Sequence, residues 1–208
     1  GAGSLPLRDG AAFDARSRES ESSIFVIDVL GGKPKRLTGP GPSDIIPNWS
    51  RDSRWVYFSS DRTRGALEVW KVRSDGSEHP VQVTHNGGLE LFEAPDGKFV
   101  YYTKRGRKTG FWRMPSGGGA EGAVPELAAI SNRFWEASDE GIYFVAPSRS
   151  PSLALFRFRG GGVTQLAALP VQPSPVHRGL SVSPDGRSFL YMQADVATSN
   201  LKVVENFQ

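Results

Sequence analysis

Three histidines, 22 carboxylates and no cysteine are the side chains from which acid–base or metal chemistry could be built in these 208 residues. His79 and His85 flank one predicted strand and would stand about 20 Å apart if it is extended. They cannot share a metal unaided, and His177 lies far along the chain. Neither an H-E-x-x-H pair nor a calcium-loop pattern occurs. Gly117 to Gly122 spells G-x-G-x-x-G. A dinucleotide site needs that motif between a strand and a helix, so that the helix start meets the pyrophosphate; here prolines and β-rich segments surround it. Gly179-Leu180-Ser181-Val182-Ser183 lacks the last glycine of a nucleophile elbow. Asn48-Trp49-Ser50 is a glycosylation sequon by spelling and falls in a predicted strand. The expectation is a chain with no catalytic residues, no metal and no cofactor.

One carboxylate series has a different logic. Asp9, Asp52, Asp96, Asp139 and Asp185 recur at intervals of 43, 44, 43 and 46 residues. Each sits in a turn-forming tetrapeptide, such as Ser50-Arg51-Asp52-Ser53, Ala94-Pro95-Asp96-Gly97 or Ser183-Pro184-Asp185-Gly186. Asp in such a turn bonds the backbone two residues on. Each turn precedes a run rich in aromatic and β-branched residues: Trp55 to Ser60, Phe99 to Tyr102, Ile142 to Phe144 and Phe189 to Tyr191. Such runs suit strands. The phase of the series assigns every aspartate one job, capping its own turn.

A period of this length with several strands per unit predicts a β-propeller. The fold class is therefore all-β, with four-stranded antiparallel blades and five blade units visible. A single domain over 1–208 is expected, with units at about 1–45, 46–88, 89–131, 132–176 and 177–208. Within units the strands read Ile24 to Val29, Asn48 to Ser50, Leu67 to Arg73 and Pro80 to Thr84, and so on. Gly39 to Ile46 is a crossing, and Val124 to Leu127 a weak outer strand. The fifth unit stops one strand short, which predicts closure by an N-terminal segment. The chain reads as a C-terminal piece of a six- to eight-bladed parent.

Composition agrees with a folded β domain. Hydrophobic residues make up 38%, with 12 Phe, 5 Trp and 5 Tyr to supply a core, so global disorder is unexpected. A net charge of +3 is too small an excess to imply nucleic-acid binding. No apolar run is long enough to span a membrane as a helix.

The repeat resembles that of the TolB-like, WD-like propellers, whose unit runs approximately W-S-P-D-G, two strands, a D-G-G turn and an L-T ending. Trp49-Ser50 with Asp52, Pro95-Asp96-Gly97, Ser183-Pro184-Asp185-Gly186, Gly31-Gly32 with Leu37-Thr38, and Asp75-Gly76 with Val83-Thr84 carry the match. Ser53 in place of Gly, and Asp139-Glu140-Gly141, depart from it. The ending Leu201 to Phe207 resembles a subgroup in which the propeller follows a winged-helix DNA-binding domain. The resemblance implies a non-catalytic interaction or sensory domain of a bacterial regulator or envelope scaffold, periplasmic or otherwise extracytoplasmic. The alternative is the propeller of a prolyl-oligopeptidase-like serine peptidase whose catalytic domain lies outside this chain.

If binding occurs, the long irregular loops after second and fourth strands should carry it, since loops on a rigid scaffold usually do. Two equivalent loops hold Arg62, Arg64, Lys104, Arg105, Arg107 and Lys108. They predict a basic rim for a protein or peptide of acidic character. Trp135, near a strand start, is expected at the mouth of a channel.

Overall fold

A computed structural model describes residues 10–17, 20–63, 66–106, 109–130, 134–146, 148, 150–170, 179–183, 185–195 and 198–205. Among them the secondary structure is strands and one 3-10 turn, Pro125–Leu127. The strands form five antiparallel sheets, each made of consecutive strands. The first holds β1 (Gly10–Ser17), β2 (Ser20–Asp28) and β3 (Lys35–Arg36). The second holds β4 (Asp44–Trp49), β5 (Trp55–Ser60), β6 (Glu68–Arg73) and β7 (Val81–Gln82). The third holds β8 (Leu89–Glu93), β9 (Phe99–Lys104), β10 (Gly110–Pro115) and β11 (Gly122–Ala123). The fourth holds β12 (Trp135–Ala137), β13 (Gly141–Ala146), β14 (Ser152–Arg157) and β15 (Val163–Ala168). The fifth holds β16 (Leu180–Val182), β17 (Ser188–Asp195) and β18 (Thr198–Glu205).

The chain packs as two compact units, Gly1–Arg107 with Trp112–Gly122, and Lys108–Phe111 with Ala123–Gln208. In the first, β5 explains why its sequence is so apolar. Side chains alternate faces along a strand, and both faces of β5 are covered. Val56 and Phe58 pack with Ile24 and Val72, flanked by Leu37, Trp49 and Trp70. Tyr57 packs the other way, with Val69, Leu91, Val100, Tyr102 and Met114. The second unit has its own core of Phe134, Tyr143, Val145, Leu153, Leu155, Leu169, Leu180, Phe189 and Tyr191. Each such large side chain contributes about 1.5–3 kcal/mol on burial.

The turns show what the repeated residues do. Asp52 Oδ1 accepts the Arg54 N–H at 3.0 Å, and the Ser50 hydroxyl donates to it at 2.7 Å while accepting from the Trp55 N–H. Asp185 repeats this with Arg187 and Ser183, and Asp96 accepts from the Lys98 N–H. Ser53 holds the left-handed conformation (φ 58°) that Gly97 and Gly186 hold in the other turns. The fourth turn differs from expectation. Ser138 Oγ, not Asp139, accepts the Glu140 and Gly141 N–H groups. A hydroxyl does the carboxylate's work one residue earlier. Asp9 lies outside the described residues.

The L-T endings have a physical reason too. The Thr38 hydroxyl accepts the Ile24 N–H and the Thr84 hydroxyl the Val69 N–H, both buried. Each satisfies a strand donor where the outer strand has already ended.

Several boundaries move: β2 runs from Ser20 to Asp28 rather than from Ile24 to Val29, and β7 is Val81–Gln82 rather than Pro80 to Thr84. β4 starts at Asp44 rather than Asn48, because a bulge between Ile45 and Asn48 lets it continue past the irregular stretch. Its Ile46 has φ 56°, and Glu90 has φ 49° in a matching bulge in β8. The weak outer strand expected at Val124 to Leu127 is instead β11 followed by the 3-10 turn. Pro125 cannot donate to a ladder but suits the first position of a turn.

Candidate protein-interaction site

Two of the expected rim cations, Arg62 just after β5 and Lys104 at the end of β9, are not rim charges. Asp44 is fully buried; its carboxylate accepts from the Ser60 hydroxyl at 2.6 Å and from Arg62 Nη2 at 2.5 Å. The Arg62 guanidinium lies 5.4 Å from the Phe58 ring and 5.6 Å from Trp70. Lys104 is only 2% exposed. Its ammonium donates to Glu121 Oε1 at 2.5 Å and to the Asn86 carbonyl at 3.0 Å, and stands 4.1 Å from the Trp112 ring centre. The Tyr102 hydroxyl donates to the same Glu121 carboxylate. The basic-rim expectation is corrected for these two residues: a charge already neutralised and desolvated has nothing left to offer a partner.

The two sites are one device repeated. A cation at the end of the second strand lies over a tryptophan eight residues on, Arg62 over Trp70 and Lys104 over Trp112. That spacing was visible in the chain; the carboxylates Asp44 and Glu121, which complete the pairs, follow no common spacing. Arg105 is exposed just beyond β9. Arg64, Arg107 and Lys108 lie outside the described residues. Trp135 is corrected as well. It is 9% exposed and meets the Phe111 ring edge-on at 5.0 Å, a packing position rather than a channel mouth. His79 and His85 are exposed and His177 is outside the described residues.

Further cations gather at the tight-turn end. In the β5–β6 pair Trp55 faces Arg73 and Tyr57 faces Lys71. Lys71 Nζ lies 4.6 Å and the Arg73 guanidinium 5.1 Å from the Trp55 ring centre. In the next sheet Arg113 covers Phe99 at 5.0 Å. The alternation of Leu67 to Arg73 was the available signal for this stack.

Polar bonds join neighbouring sheets of the first unit. Asp14 accepts the Ile46 N–H at the β4 bulge, at 3.1 Å. The Asn48 amide donates to the Leu91 carbonyl at 3.0 Å. Glu93 accepts the Arg51 N–H at 2.8 Å and the Tyr57 hydroxyl at 2.6 Å. Burial first, then the Glu93 carboxylate, pushes the Tyr57 hydroxyl well above the usual tyrosine range. In the second unit Tyr143 donates to Glu140, which also pairs with Arg157. Burial, then the Glu140 charge, pushes Tyr143 up to about 12. A raised tyrosine favours folding in its neutral form. That stability is complete below the unfolded value of about 10 and is lost as pH rises through the folded value. Melting temperature should therefore fall between about pH 10 and 12, and Tyr143→Phe should fall less steeply. Parallel slopes in thermal scans of the two proteins would remove Tyr143 from the account.

The antiparallel blade-like sheets, with two buried cation–carboxylate pairs in the first unit, can be set beside known structures. TolB from Acinetobacter baumannii superposes with a TM-score of 0.70 at 19% identity, over 95% of this chain and 49% of that one. The fold is that of a TolB-like β-propeller. A puromycin-hydrolysing peptidase from Mycobacterium tuberculosis superposes at 0.63 and 13% identity, over 94% of this chain and 36% of that one. In sequence, the uncharacterized protein Atu1656 of Agrobacterium fabrum is 42% identical over 71 residues, 33% of this chain and 24% of its own length. No family model matches. The chain thus spans about half the length of the TolB it matches, and its likeness to Atu1656 covers about a quarter of that protein. No helix among the described residues is long and apolar enough to cross a membrane.

Proposed function

We propose that this TolB-like propeller is a non-catalytic interaction domain that binds a protein or peptide. The observation that carries the reading is the fold likeness to TolB across 95% of the chain. The five sheets act in it as one domain, the compartment is extracytoplasmic, and the role is that of an envelope scaffold or of the sensory part of a larger regulator. The peptidase likeness is lower in TM-score and in share of the partner chain covered. It is the weaker basis for a function.

The partner's acidic character rests on Arg105 together with Arg64, Arg107 and Lys108. Arg62 and Lys104 have left that set, because their charges are already paired. Rim charges are worth about 0–1 kcal/mol each, so a cluster must be changed. Fluorescence anisotropy with a labelled poly-glutamate peptide, against a neutral glycine–serine peptide, tests it. The full chain should prefer the acidic peptide, and binding should weaken with salt. Arg64→Glu, Arg105→Glu and Arg107→Glu together should weaken it about tenfold. Equal binding of both peptides, or no effect of the triple change, would remove this face from the proposal.

A further inference from the structure

Outer strands of blades are sheet edges, and an edge presents unpaired N–H and C=O groups to any extended chain that meets it. Three of the four outermost strands are blunted. β3 is two residues long, Lys35-Arg36, both charged and exposed. β7 is two residues long and follows Pro80. β11 is two residues long and runs into Val124-Pro125. β15 is different. It runs for six residues, Val163-Thr164-Gln165-Leu166-Ala167-Ala168, with no charge and no proline. It ends its sheet, bonded to β14 alone. Val163 is 46% exposed, and Thr164, Gln165 and Ala168 are exposed with it. One bulge, where Leu166 is skipped in the pairing with β14, is its sole irregularity. β18 is longer but holds the third-strand place of its sheet, and its sequence carries Lys202 and Glu205.

Backbone groups on a strand point alternately to its two sides. Gly162 and Leu169 bond inward, to Arg157 and Pro151. Counting from Gly162, Val163 and Gln165 therefore direct their N–H and C=O groups outward. An antiparallel copy of the same strand would satisfy them. Charged side chains are what select a foreign strand and repel a wrong one, and β15 has none. Pairing with itself sets no like charges opposite each other, whereas β3 paired with itself would oppose Lys35 and Arg36 to their own copies.

We infer that β15 is a self-association edge, through which two copies of this chain pair antiparallel about a twofold axis. One strand pair buries little area, so the association is weak, with a Kd of about 0.1 mM.

Sedimentation velocity of the full chain from about 10 µM to about 1 mM spans that range. The mean mass should rise from one chain toward two. Val163→Lys with Gln165→Lys places lysines near their own copies and should weaken association at least tenfold; Val163→Glu with Gln165→Glu should do the same. Mixing the two variants should restore it to within about threefold of the wild type. Circular dichroism checks that each variant keeps its sheet. Should a variant lose it, hydrogen exchange of the wild type decides alone: amides of residues 163–168 should slow as concentration rises, and unchanged rates would overturn the inference. A wild type that stays monomeric to about 1 mM would overturn it and leave the edge to a foreign strand. A lysine variant that dimerises like the wild type would place the interface elsewhere.

Discussion

Replacing Lys104 by methionine should lower stability by about 3–5 kcal/mol and the melting temperature by about 10 °C. The methionine keeps the apolar stem but removes the charge. Glu121 then keeps its bond from Tyr102 and loses its pairing with Lys104, while the Asn86 carbonyl loses a donor. Breaking a buried pair from one side is the costly case, because the remaining charge stays desolvated. Adding Glu121→Gln removes that charge. The double variant should recover to within about 1–2 kcal/mol of the wild type, since a neutral replacement of a buried pair is often nearly neutral in stability. Urea midpoints of the two variants make the comparison. A single variant within about 0.5 kcal/mol of the wild type would mean that the pair behaves as an exposed one.

Gly141→Ala should lower stability by about 3 kcal/mol or more. Gly141 opens β13 and lies opposite Arg157 in register. A Cβ there would fall inside the carbonyl oxygen of Phe156, a backbone atom that cannot swing aside. The strands would have to part just where Ser138 N–H meets the Gly141 carbonyl at 2.9 Å and Phe158 N–H meets the Glu140 carbonyl at 3.2 Å. Gly162→Ala is the control, since nothing lies within 4 Å of the added carbon and its φ is ordinary. It should change stability by no more than about 0.5 kcal/mol. Equal urea midpoints for the two variants would show the register at Gly141 to be wrong.

The fold was legible because turn chemistry is local. An Asp or Ser that bonds the backbone two residues on needs no distant partner, so five such turns could be counted along the chain. The strands after them were legible for the same reason: Val56 to Phe58 is apolar on both faces because both are covered. What stayed hidden depends on partners far apart in sequence. Arg62 reads as a loop charge until Asp44, eighteen residues earlier, is found beneath it. Lys104 and Glu121 are seventeen apart. The bulges at Ile46 and Glu90 show no glycine to announce them. Trp135 reads as a rim residue until Phe111 supplies its neighbour. Ser138 takes the place expected for Asp139 by accepting the Glu140 and Gly141 N–H groups.

Among the described residues every sheet is made of strands that follow one another in the chain. Pairing partners are separated by one short connection, so little loop-closure entropy opposes each step. Most all-β proteins must wait for distant strands and fold slowly for that reason. A hairpin forms in about 1–10 µs, while a ribosome adds about 5–20 residues per second. A unit of some 43 residues therefore emerges over about 2–9 seconds, long after its own hairpins can close. The first sheet can be complete before the second has left the ribosome. The order of synthesis becomes the order of assembly.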